Sequence, residues 1–568
     1  MSDYDYIDLS WHAQLPSKWQ LYYRETSLNL RKDFCSLIDD VSSSWDGSLD
    51  GWLVSASMRD QYSSRLFHDI VTLVMLKNYK HEIKDGDSIV IDDPTMFAIL
   101  SIYANNNQKK IQIFWSTPLM TRMIKNIRTL LSPLRTHFRI FSEWLTAKLG
   151  SLDYTPNLNL NKDLIVIDTF AIPGFVLEDR YYSGLWELLS QQDKSKVRFI
   201  PQFSEMTLNQ IYKATIDIKK HPERFILKDQ LIKLTDLLWA AGHWYRRNKI
   251  NISRVDFSGF EITPLIRREL SSTSALNGAL RGLLNYRFVM RLSQIECNVV
   301  KAIDWFENQG IDRGWSAGFR RFLPKATTMG YQGFSSSAIS TKPTTAEQRA
   351  GVIPQTIAVM GSAFIKPLRE FCPDLDITVA PAFRFKWVWE YNASYKKQNK
   401  NPIILIALPG EVRICRKVLE LVSEASKEMT EIEYRIKTHP RAPLSSIFLK
   451  DDSWKKWAVN ASRSLKEEFS DATLIIGAEF STVGMEAVSI GLPTIFVVPQ
   501  GGVSGLMPEG VPDTMWSIAT DVDSLVQLVP EFVEMSNHDS NILKLAGEAR
   551  SYMFEPVTNQ TAIKFITA

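Results

Sequence analysis

Short apolar runs separated by stretches of helical period recur along most of the chain. GWLVSASMRDQYSSRLFHDIVTLVMLKN reads as helix after Ser57, DSIVIDD and KIQIFWS as short strands, and DLIVIDTFAIPGF, from Asp163 to Phe175, as a buried strand entering a Pro-Gly turn. Strands divided by helical runs predict βαβ units and a parallel sheet. From about 176 to 300 the period changes. TLNQIYKATIDIKK and DQLIKLTDLLWAAGHWYRRN carry apolar residues three and four apart, which predicts a helical insertion. Alternation resumes with NVVKAIDWFENQG, a helix over IDRGWSAGFRRFLP and the strand TTMGYQGF. The polar loop SSSAISTKPTTAEQ that follows is the candidate linker, because Ser, Thr and Pro cluster there.

The second half continues with PQTIAVMG, LDITVAPAF, NPIILIALPGE, a helix through VRICRKVLELVSEASKEM, then EIEYRIKTHP, DATLIIGA, a helix over VGMEAVSIG, and LPTIFVVP. Continuous apolar runs such as IILIAL, TLIIGA and TIFVVP are the signature of parallel strands buried on both faces. The expected architecture is α/β with two Rossmann-like domains. Residues 1–340 form an N-terminal domain carrying the insertion, 341–545 a second doubly wound domain, and 546–568 a helix packing back on the first.

Composition narrows the class. A chain of 568 residues exceeds one hydrophobic core, and 45% hydrophobic with 23% charged residues is ordinary for a globular protein. A net charge of +3 is too balanced for a dedicated nucleic-acid binder, so no nucleic-acid partner is expected. Cys35, Cys297, Cys372 and Cys415 are scattered without metal or disulfide spacing, which fits a reducing cytoplasm. Acidic residues in MSDYDYIDLSWHAQLP stand where an export signal would carry lysine. No apolar run approaches the ~20 residues of a spanning helix.

Chemistry concentrates after strands of the second half. In an open parallel sheet, ligands sit beyond the carboxyl ends of the strands. Pro409-Gly410-Glu411 follows IILIAL, Thr438-His439-Pro440 follows EYRIK, and Ser481-Thr482 comes shortly after TLIIGA. Ser481 or Thr482 would cap a helix whose N-terminus suits phosphate, or would be a plain cap. Glu486, one turn on, would face a ribose or sugar hydroxyl, or serve structure alone. Lys437, His439 and Arg441 form a small cationic loop. Pro440 restricts the histidine backbone, and a protonated imidazole there would meet a leaving phosphate.

IKTHP and FSTVGMEAVSIGLPTIFV resemble the His-Pro and Ser/Thr motifs of bacterial GT-B glycosyltransferases, notably Kdo- and sialyltransferases of surface polysaccharides. DWFENQGIDRGWSAGFRRFLPKATTMGYQGF and APAFR are similar to proteins of bacterial O-antigen and surface-carbohydrate biosynthesis. The resemblance covers roughly residues 300–560. It implies two Rossmann-like domains facing a cleft, a nucleotide-activated sugar donor on the second, with CMP-Kdo or another CMP-ulosonic acid favoured, and a saccharide acceptor on the first. It also implies metal-independent, inverting chemistry without a cofactor. The donor site would comprise Gly410, Glu411, Lys437, His439, Pro440, Arg441, Ser481, Thr482 and Glu486. Glu307 in ENQG stands where the family carries an acidic pair before glycine, and is the expected base; the second acid is missing. Glu178 and Asp179 are its rivals, and Gln332 and Gly333 are expected in the cleft. Similar motifs occur in CDP-polyol-phosphate transferases of teichoic-acid type, and a non-catalytic scaffold of the same shape is the reading from another class.

The segment from Thr121 to about 148 sets Arg122, Lys125, Arg128, Arg135 and Arg139 on one side, and Met123, Ile127, Leu131, Leu134, Phe138, Phe141 and Leu145 on the other. This pattern predicts either a helix on the inner face of the cytoplasmic membrane, beside a lipid-linked oligosaccharide acceptor, or one packed on the core and kinked at Pro133.

Overall fold

The computed structural model describes residues 6–11, 15–45, 47–61, 64–106, 112–115, 119–156, 163–273, 275–335, 340–391, 401–439, 441–447, 453–457, 463–478, 481–498, 507–538 and 541–567. Three parallel sheets organise them. The first has three strands, β1 (Tyr6–Asp8), β2 (Ser88–Ile91) and β3 (Gln112–Trp115), in that order. Its core, including Ile7, Phe34, Phe67, Ile89 and Leu265, is separate from the cores of the other sheets. The strands in DSIVIDD and KIQIFWS therefore build a lobe of their own and do not join the sheet of DLIVID.

The central sheet contains β4 (Leu164–Ala171), β5 (Val197–Phe203), β8 (Val299–Trp305), β9 (Thr327–Gln332), β10 (Thr356–Val359) and β11 (Asp376–Val379), ordered β11-β10-β9-β8-β4-β5; β6 (Asp256–Phe257) and β7 (Phe260–Glu261) pair only as a hairpin. Strand β5 lies inside the stretch expected to be a helical insertion. Its seven residues are all buried, so it shows no alternation, and Pro201 is tolerated because β5 is the edge strand.

The domain boundary also differs from the expected 340/341. β10 runs parallel to β9 in the register Thr356↔Met329 to Val359↔Gln332, and β11 continues on β10, so both belong to the first domain. The chain leaves that domain after Tyr391, and residues 392–400 are outside the described residues. The polar loop expected as linker instead holds buried Thr341, Thr344 and Glu347.

The C-terminal sheet is β12 (Ile403–Ala407), β13 (Glu433–Lys437), β14 (Leu474–Ala478), β15 (Thr494–Val497) and β16 (Trp516–Ala519), ordered β13-β12-β14-β15-β16 and parallel throughout. The helix Val412–Ala425 crosses from β12 to β13, burying Ile414, Val418, Leu419 and Val422. After the helix Ile542–Met553 the chain returns to the first domain. There Ala562, Phe565 and Ile566 join the core beside β4 and β8, and Lys301 Nζ donates to the Phe565 carbonyl at 2.9 Å. The four cysteines are free and buried.

Candidate functional site

Strand order locates one crevice in each domain. In the central sheet β4 and β8 are neighbours, yet the chain moves to β5 on one side and to β9, β10 and β11 on the other. In the C-terminal sheet the same divergence falls between β12 and β14. Loops leaving such a pair part and open a ligand crevice. The loops are Ile172–Tyr182 and Phe306–Gln309 in the first domain, and those carrying Gly410 and Ser481-Thr482 in the second. The carboxyl ends of the sheets meet: Arg441, beyond β13, pairs with Glu205, just beyond β5, at 2.5 Å.

The loop after β8 is braced from several sides. Asp312 accepts the amides of Glu307 and Gln309, both at 2.9 Å. Asn308 adopts φ 52° and donates to Glu347 at 3.0 Å. A left-handed non-glycine residue costs about 1–2 kcal/mol, and asparagine tolerates it best. Glu347 is buried between Arg313 and Arg59, and Arg313 also donates to Ser55 at 2.7 Å. Arg313 is thus a buried pillar between lobe and domain, outside the cleft, while Arg320 donates to the Arg349 carbonyl at 3.1 Å. This bracing fixes Glu307, whose carboxylate accepts from Trp305 Nε1 and Gln309 Nε2, each at 2.8 Å.

Its rival Asp179 is fully engaged, accepting from Thr169 Oγ1 at 2.7 Å and from the amides of Tyr181 and Tyr182 at 2.7 and 2.9 Å. These bonds brace the loop after β4. Glu178 is exposed. Gln332 is buried at the end of β9. Gly333 was expected to let a ligand approach, but a Cβ there would lie 2.7 Å from the Trp305 ring and 2.8 Å from Tyr331, so an indole occupies that space.

In the second domain Gly410 and His439 are in contact, since a Cβ on Gly410 would lie 3.1 Å from His439 Nδ1. That nitrogen accepts the Arg441 amide at 3.1 Å, which leaves the remaining ring proton on Nε2. Partial burial and the nearby Arg441 and Arg180 hold the imidazole below its ordinary pKa. This environment disfavours the protonated imidazole, and the Nε2–H of the neutral ring is still a donor for a phosphate. Lys437 turns to the Arg463 carbonyl. Glu411 caps the helix Val412–Ala425, accepting from the Arg413 amide at 3.3 Å. Pro440 lies outside the described residues.

The Ser/Thr loop is used differently from a plain cap. Ser481 accepts the Val483 amide at 3.3 Å, while Thr482 Oγ1 donates to Glu486 at 3.3 Å. Glu486 is buried and accepts Trp387 Nε1 at 2.9 Å, a bond that joins the two domains. Burial pushes its carboxyl up to about 7, against the opposing effects of Trp387, Arg384 and Thr482. Sequence reasoning missed Arg384, Trp387, Arg180 and Glu205 as members of the cleft. The one available signal was APAFR, an arginine between two phenylalanines just beyond a strand.

The protein has two parallel α/β domains with a cleft between facing strand ends, and a smaller three-stranded lobe. No protein-family profile matches the chain, and no curated protein matches its sequence. Solved structures to which it is similar include MurG of Acinetobacter baumannii, at 13% identity and TM-score 0.37, covering 71% of this chain and 99% of that one. The UDP co-structure of S. aureus MnaA aligns at 10% identity and TM-score 0.40, covering 71% and 95%. The glycosyltransferase SnogD of Streptomyces nogalater aligns at 11% identity and TM-score 0.39, covering 71% and 99%. At such identities no residue role carries over.

Proposed function

We propose that the protein is a GT-B glycosyltransferase of bacterial surface-polysaccharide assembly, moving a sugar from a nucleotide-activated donor, with a CMP-ulosonic acid favoured, to a saccharide acceptor. The carrying observation is that the Gly410–His439 contact and the Ser481-Thr482 loop lie beyond β12 and β14, the strands between which the chain diverges, while the braced Glu307 loop lies at the corresponding point of the first domain's sheet. In this reading His439 Nε2–H donates to the leaving phosphate as charge accumulates there, and Glu307 takes the proton of the acceptor hydroxyl. The preformed Glu307 loop supports positioning of that base without reorganisation.

An exposed apolar surface supports a lipid-linked acceptor at the inner face of the membrane. The helix Leu119–Gly150 leaves Leu131, Leu134, Phe138 and Phe141 in solvent, with Phe138 73% and Leu134 69% exposed. Side chains before residue 131 lie outside the described residues. The helix Leu234–Ala241 adds exposed Leu234 and Leu238, and between the two helices runs an apolar groove of about 370 Å³. Exposed Arg135, Lys233 and Lys249 supply positive charge on this part of the molecule. Apolar side chains with flanking cations suit an anionic bilayer. Among the described residues no helix is long and apolar enough to cross a membrane.

The test is incubation with CMP-, CDP-, UDP- and GDP-linked donors and measurement of nucleotide release. Release of CMP from a CMP-sugar, stimulated by a saccharide, is the expected result. Release of CMP from a CDP-polyol with transfer of polyol phosphate would establish the teichoic-acid type of reaction instead. No nucleotide binding by any donor would make the protein a scaffold.

A further inference from the structure

The carboxylates of the cleft are engaged: Glu486 by Trp387 and Thr482, Glu307 by Trp305 and Gln309, and Glu205 by Arg441. Arg384, just beyond β11, is not. Its guanidinium lies over the rings of Trp305, Phe385 and Tyr181 at 5.5, 5.7 and 5.9 Å, and among the described residues it has no hydrogen bond or ion pair. A guanidinium keeps its charge and offers five N–H donors. Aromatic faces attract that charge by about 0.5–2 kcal/mol but do not satisfy the in-plane donors.

Burial disfavours the Arg384 charge most, and Glu486 offsets that in part through its field, without a bond to the guanidinium. Arg180, exposed on the loop after β4, acts repulsively on both Arg384 and His439, so cations from three loops converge where the domains meet. An anion between the two arginines would relieve the repulsion and take up the unused donors. The planar fork matches the paired oxygens of a carboxylate or phosphate.

We propose that Arg384, assisted by Arg180, is the oxyanion-binding residue of the cleft, receiving a phosphate of the donor nucleotide or a carboxylate of the transferred sugar. The assignment of the anion to a donor rests on the transferase reading; the anion site does not.

The experiment is calorimetric titration of the full-length protein and its Arg384→Gln and Arg384→Lys variants with pyrophosphate, CMP, the free acidic sugars Kdo and N-acetylneuraminate, and uncharged cytidine. Lys366→Gln, at an exposed cation paired with Glu509, is the control. Arg384→Gln is expected to weaken binding at least tenfold for one class of anion while cytidine affinity stays within twofold, with Arg384→Lys recovering only part. Loss confined to pyrophosphate and CMP identifies a phosphate site, and loss confined to the acidic sugars identifies a carboxylate site. Anion affinities within twofold of wild type overturn the proposal while leaving the transferase reading intact if CMP still binds. Binding of pyrophosphate that depends on Arg384, without any nucleotide binding, keeps the anion site and ends the transferase reading. No anion binding by the wild type overturns the proposal. If Arg384→Gln does not fold, Arg384→Lys decides, with at least threefold weakening of one anion class required.

Discussion

Glu486→Gln should make the protein less sensitive to alkaline pH. The Glu486 carboxyl is pushed from an ordinary 4.5 to about 7, chiefly because it is buried where the domains touch. A carboxyl raised on folding gives stability that is fully present below about pH 4.5 and is lost as pH rises through about 7. The gap, at about 1.36 kcal/mol per pH unit, amounts to roughly 3 kcal/mol lost by pH 8.5. Glutamine keeps the acceptor for Trp387 Nε1 and offers an N–H toward Thr482, but never ionises. Wild type and variant should therefore melt together at pH 5, and the variant should melt higher above pH 7.5. With about 2.1 cal/mol/K per residue, roughly 3 kcal/mol is about 3 °C if the whole chain melts as one unit. Scanning calorimetry from pH 5 to 9 measures this directly. A melting difference that stays constant over that range would refute the reasoning, because it would mean that Glu486 does not titrate differently on folding.

Other expectations address catalysis, packing and surface separately. His439→Ala should lower turnover about 100-fold or more in the nucleotide-release assay, with melting within a few degrees of wild type; unchanged turnover removes it from the mechanism. Gly314→Ala should destabilise by about 3 kcal/mol or more. A Cβ at Gly314 would sit 1.8 Å from the Gly282 carbonyl oxygen, where helices Leu276–Ser293 and Gly310–Phe322 cross, and backbone cannot yield as a side chain does. A calorimetric shift below about 1 °C would contradict that contact. Leu134→Glu combined with Phe138→Glu should reduce co-sedimentation with anionic vesicles about tenfold without lowering the melting temperature, since both side chains are already in solvent. Equal sedimentation would assign the surface to something other than a bilayer.

Periodicity and composition by themselves determined a chain of parallel α/β units and placed Gly410, His439 and Ser481-Thr482 at strand ends, because buried parallel strands are short and apolar and their loops follow at once. What an apolar run cannot encode is its neighbour. TIAV at β10 fits any parallel sheet, and only pairing with β9 made it the first domain's. The same limit hid β5, whose continuous burial carries no period. Side-chain roles were decided by contacts between residues distant in the chain: Asp179 became a brace through Thr169, Arg313 a pillar through Glu347, and Gly333 a seat for Trp305. His439 needed both levels. Its position beyond a strand was legible, but the lowered pKa of its imidazole follows from partial burial and from cations that only the folded chain brings near. Arg384 shows the limit most plainly: an arginine in a sequence is only a charge, and its place over Tyr181, Trp305 and Phe385 can be recognised only once loops distant in the chain have come together.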